Sequence, residues 1–123
     1  MDQTLTNLRQ RATKTARDFI RAQRAYLDAA APNNRKTETE LKVVAEDYHE
    51  AIKPYDAALQ ELRRYLLSAE PSGEIAAELE RTERLIKTLN HEKIISSMLI
   101  ERHVDLNDKN IRRNSRHADE EVE

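Results

Sequence analysis

The chain has 123 residues, of which 21 are Lys or Arg, 23 are Asp or Glu, one is Gly, three are Pro and none is Cys or Trp. A single Gly argues against turn-rich all-β folds and Gly-rich phosphate loops, and the lack of Cys excludes disulfides, thiolate nucleophiles and Cys-based zinc sites. The formal net charge of −2 is too small to imply a nucleic-acid or membrane partner by itself.

This length predicts one domain. Leu, Ile, Val and Phe number 26, about a fifth of the chain, which is the edge at which composition supports a packed core. Breakers fall in three places: Pro32-Asn33-Asn34, Pro54, and Pro71-Ser72-Gly73. They divide the chain into helices expected near 3–31, 37–69 and 74–107, with a helical domain over 1–106 and a polar tail, expected to be disordered, over 107–123.

In the first helix Leu5, Leu8, Ala12, Thr15, Phe19, Ala22, Tyr26 and Ala29 recur at alternating steps of three and four, a heptad seam. Ala16, Ile20 and Leu27 widen it. Much of the seam is Ala, which admits a close neighbour but buries little area per residue. The second helix opens on Thr37-Glu38-Thr39-Glu40, the spacing of a capping box. Leu41, Val44, Tyr48, Ala51, Tyr55, Ala58, Leu62, Tyr65 and Ala69 continue the same alternation, and Ala45, Ile52, Leu59 and Leu66 flank it. A stripe this wide suits a bundle of three or more helices. The seam keeps its register across Pro54, so one continuous helix with a kink is expected rather than two helices. The third helix is expected to start at Ser72, with Ile75, Leu79, Thr82, Ile86 and Leu89 on one stripe. The pattern then changes: Ile94, Ile95, Met98, Leu99 and Ile100 surround the helix axis, and a helix apolar all round must be covered all round.

Charge is unevenly spread. Residues 1–31 carry six basic and three acidic side chains, and residues 37–70 carry four basic and eight acidic. A basic helix joined by a short loop to an acidic one is expected to pair with it antiparallel, with flank charges selecting that pairing more than stabilising it.

Two groups of residues stand out as candidate sites. Lys14, Arg17, Arg21 and Arg24 recur at three-four-three spacing opposite the first seam. Such a row can bind phosphates or an acidic partner, or stand as a solvated face beside the acidic second helix. No aromatic residue lies in the row to stack a base, which weakens a single-strand reading. Ile94, Ile95, Met98, Leu99 and Ile100 form a candidate interface with a second chain.

Other patterns lack partners. Glu46-x-x-His49 has the spacing of carboxylate-bridged metal bundles, but no second Glu-x-x-His follows. His91-Glu92 begins like a zinc-protease helix, but Ile95 stands where the second His must be. No metal or cofactor is expected. His49, His91, His103 and His117 read as surface or rim residues.

The expectation is therefore an all-α protein of three long helices in an antiparallel, coiled-coil-like bundle. It is expected to be a non-enzymatic interaction or assembly module that self-associates, as a dimer, through the third helix, with another helical protein as a further partner. The alternative is a nucleic-acid-binding module using the basic face of the first helix. The opening MDQTLTNLRQ lacks a basic stretch followed by an apolar one, so no signal peptide is expected. No apolar run approaches the roughly 20 residues that span a bilayer. A cytoplasmic protein without a membrane partner is the resulting expectation.

Overall fold

The computed structural model describes the backbone of residues 3–122 and the side chains of residues 3–103. It holds three helices, α1 (Gln3–Ala29), α2 (Glu38–Ser68) and α3 (Gly73–Val122), and no strand among the described residues. The expected polar tail at 107–123 lies beyond the described side chains, as does His117.

Local chemistry sets the helix ends. α1 stops just short of Pro32, because proline disfavours helical geometry in the residue before it. Thr37 caps α2, its hydroxyl accepting from the Glu40 amide at 3.1 Å. The reciprocal half of the capping box is not made: the Glu40 carboxylate lies 3.8 Å from Lys36 Nζ instead. Ser72 caps α3 by accepting from the Ile75 amide at 3.1 Å, and Glu74 sits in the first turn, where the helix dipole favours negative charge. α2 runs unbroken through Pro54.

α2 is the middle element. It packs against both α1 and α3, whereas no Cα of α1 comes within 8 Å of one in α3 among the described residues. Arg11 reaches Glu61 and Gln23 reaches Tyr48, so α2 descends as α1 ascends. Lys93 reaches Asp56 and His103 reaches Glu38, so α3 is antiparallel to α2 and parallel to α1. The expected up-down-up bundle is what forms, but its third side is open at backbone level.

The core follows the predicted seams. Ala45, Ile52, Leu59 and Leu66 are all buried, one row of α2 at seven-residue spacing. Beside them a ladder of rings links the helices. Phe19 lies 5.7 Å from Tyr48 and 5.8 Å from Tyr55 between centroids. Tyr26 lies 6.1 Å from Tyr48 and 5.8 Å from His103. These spacings suit tilted aromatic contacts. The aromatic residues of α1 thus supply the bulk that its Ala-rich seam lacks.

Candidate interaction surfaces

The third helix presents two different faces to two different environments. Its inner row is Thr82, Leu89, Ser96 and His103, buried at strict seven-residue spacing. The polar members are all satisfied. Thr82 Oγ1 donates to the Glu78 carbonyl at 2.8 Å. Ser96 Oγ lies 2.7 Å from His49 Nδ1. His103 Nε2 lies 3.0 Å from Tyr26 Oη, and its Nδ1 2.8 Å from Glu38 Oε2. With the proton on Nδ1 the ring donates to the carboxylate and accepts from the phenol.

This corrects the reading of His103 as a surface or rim residue: it is 5% exposed. The two residues before it, Glu101 and Arg102, are exposed, and those charges conceal its inward position. His103 ties the end of α1, the start of α2 and α3 together.

The outer face of α3 is unlike the inner one. Ile94 is 60% exposed, Ile95 45% and Met98 62%. Ile94 and Met98 are four apart and Ile95 and Met98 three apart, so they cover one continuous turn. Leu99 and Ile100, grouped with them by sequence, are half-buried and pack against the core. The five residues therefore divide: two help close the bundle and three face outward.

On α1, Lys14, Arg17, Arg21 and Arg24 are all exposed. None of the four forms an ion pair among the described residues; the cross-helix pairs use Arg9 and Arg11. The acidic α2 therefore does not neutralise the basic row.

Between α1 and α3 lies a groove floored by α2. One stretch, of about 380 Å³, is lined by Ala12, Thr13 and Ala16 of α1, Leu59 and Leu62 of α2, and Thr82 and Leu85 of α3. A second, of about 250 Å³, continues it past Phe19, Ile20, Gln23, Leu89 and Glu92. The groove exists because the facing residues are short: Ala and Thr cannot fill the space between two backbones held apart.

Polar bridges cross its floor. Arg9 Nε donates to Glu78 Oε2 at 2.8 Å. That bond raises the Arg9 guanidinium above its ordinary range and holds the Glu78 carboxyl below its own. Tyr48 donates to Glu92, while Gln23 Nε2 lies 3.5 Å from both partners. Burial, and then the bond to Glu92, push the Tyr48 phenol up to about 12. Burial also raises Tyr26 and Tyr55.

Glu46 lies 3.7 Å from Lys42 and His49 faces Ser96, and no three His, Asp or Glu side chains converge among the described residues. Nor is any helix there long and apolar enough to cross a membrane. No protein-family model matches the chain, and no curated protein or solved structure shows significant similarity to it.

Proposed function

We propose that the protein is a non-enzymatic helical assembly module that self-associates through the outer face of α3. The observation that carries this reading is the exposure of Ile94, Ile95 and Met98 together on a single turn. Scattered exposed apolar residues need no explanation, but a contiguous patch on a charge-rich helix marks an interaction site.

The occupant we assign is a second copy, because the flanking charges are self-complementary. Lys87 lies seven residues before Ile94 and Glu101 seven residues after it. In an antiparallel pair of α3 helices related by a two-fold axis near Ile94, each Lys87 faces the Glu101 of the other copy. Shared burial also adds to a core with few large apolar side chains.

Nucleic-acid binding by Lys14, Arg17, Arg21 and Arg24 is the weaker reading. Those cations run beside Ile20 and, one heptad on, Leu27, and a phosphate backbone offers nothing apolar to lay against either.

Sedimentation equilibrium tests the proposal. The wild-type chain of 14.3 kDa is expected to show twice that mass at high micromolar concentration, and the Ile94→Asp/Met98→Asp chain the mass of one copy with unchanged helicity. A wild-type monomer with a melting temperature independent of concentration overturns it.

A further inference from the structure

The α1/α3 groove is a second unpartnered surface, distinct from the Ile94–Met98 face. Its two lips carry exposed apolar side chains: Ile20 on α1, 42% exposed, and Leu85 on α3, 45% exposed. Both line the same stretch of the groove. Exposed Leu27, seven residues after Ile20, extends the α1 lip along the same helix face. From Arg9 to Leu27 the α1 lip spans eighteen steps, about 27 Å at 1.5 Å per residue, or five helical turns. Two parallel helices held apart over a third leave the vacant position of a four-helix bundle.

The charges beside the groove say what fits it. The α1 lip adjoins the unpaired row. Ile20 shares a shallow cleft with Arg17, Arg21 and Arg24, and Arg9 and Thr13 share another with Lys14 and Arg17. On the opposite lip Arg81 lines the groove, and the two carboxylates there are already engaged, Glu78 by Arg9 and Glu92 by Tyr48. An entering helix therefore meets apolar side chains at its centre and cations at its edges. We infer that the groove receives an amphipathic helix from another protein, apolar at a and d positions and acidic along its flanks. A second copy is a poor occupant. The most acidic helix of this chain is α2, and its apolar stripe is already consumed by the core; α3, with six acidic and five basic side chains over residues 73–103, is too evenly balanced to answer the row.

A labelled, helix-forming peptide of about 20 residues, Leu at a and d and Glu at e and g, is the probe. A matched peptide with Lys at e and g is the control. Fluorescence anisotropy is read on the wild-type chain and on the Ile94→Asp/Met98→Asp chain, so that loss of α3-mediated association and loss of groove binding are separable. Saturable binding of the Glu peptide to both chains is expected, weakened about tenfold or more by Ile20→Asp or Leu85→Asp and by Arg17→Glu/Arg24→Glu. Arg64→Glu, on α2, is expected to leave it unchanged, and the Lys peptide not to bind. Because the substituted side chains are exposed, circular dichroism should show all variants folded.

Four results overturn the inference: no binding of the Glu peptide; binding insensitive to Ile20→Asp and Leu85→Asp; equal binding of the Lys peptide; or a change in the solution mass of the chain on Ile20→Asp, which would make a second copy the occupant. Retention of a DNA duplex that survives Ile20→Asp but is lost with Arg17→Glu/Arg24→Glu likewise overturns it, assigning the row to nucleic acid.

Discussion

Tyr48 offers a way to test the core through pH. Its ring packs against Phe19 and Tyr26, and its hydroxyl donates to Glu92. Tyr48→Phe keeps the ring contacts and removes one hydrogen bond to a charged acceptor, a bond worth roughly 1.5–3 kcal/mol. Glu92 is half-buried and regains some water, so the expected loss at neutral pH is about 1–2 kcal/mol. The pH dependence is more specific. Burial first, and the Glu92 bond second, raise the folded phenol from 10.0 to about 12, so the folded state keeps a proton that the unfolded chain releases. The stability linked to this group is complete below pH 10 and is lost as pH rises through 12. At about 1.4 kcal/mol per pH unit, the whole effect is about 2–3 kcal/mol. Urea unfolding followed by circular dichroism, at fixed protein concentration between about pH 7 and 11, reads the neutral-pH loss and roughly half of the alkaline effect, the rest falling above about pH 11. Wild type should weaken over the alkaline limb and Tyr48→Phe should weaken less, with Tyr26 and Tyr55 supplying the remaining slope. A variant as stable as wild type at pH 7, with an identical alkaline slope, refutes the assignment.

The other predictions concern single contacts. Ile52→Ala, at the centre of the buried α2 row, is expected to cost about 2–5 kcal/mol by urea unfolding, through lost burial and the cavity left behind. His103→Ala is expected to cost about 3 kcal/mol, because it strips partners from Tyr26 and Glu38; His91→Ala, at an exposed position, should change stability by less than about 0.5 kcal/mol. Glu78 is held below its ordinary value of 4.5 chiefly by the Arg9 bond, so its contribution is present above that pH and lost as pH falls through the folded value. Glu78→Gln should therefore flatten the acid limb of stability, by under about 1 kcal/mol because Arg9 is half exposed.

The local structure was legible because it depends on local chemistry. Thr37 and Ser72 announce their helices as caps, Pro32 and Pro71 mark the breaks, and the unbroken register of Tyr48, Ala51, Tyr55 and Ala58 carries α2 past Pro54. Ile94, Ile95 and Met98 stood out because no helix can bury every side of itself against two neighbours. Other features were hidden for definite reasons. The inner row of α3 ends in Ser96 and His103, so a search for apolar periodicity loses it where polar side chains take over and are satisfied by partners far away in sequence. The open α1/α3 side depends on how far apart α2 holds two helices that both read as half-buried, a tertiary distance that no seam encodes. The basic row was legible as a row, but its failure to pair with α2 was not: Arg11 reaches Glu61, while the four cations point elsewhere.

The placement of α2 between its neighbours decides how the molecule comes apart. Every backbone neighbour of α1 among the described residues belongs to α2, so α1 can peel away without unseating α3 once its side-chain links Arg9–Glu78 and Tyr26–His103 part. What remains is a hairpin clasped by Lys93–Asp56 and His103–Glu38. The Ala-heavy seam of α1 resists this departure least. Amide hydrogens of α1 are therefore expected to exchange with solvent before those of the hairpin, and unravelling begins from the amino-terminal side.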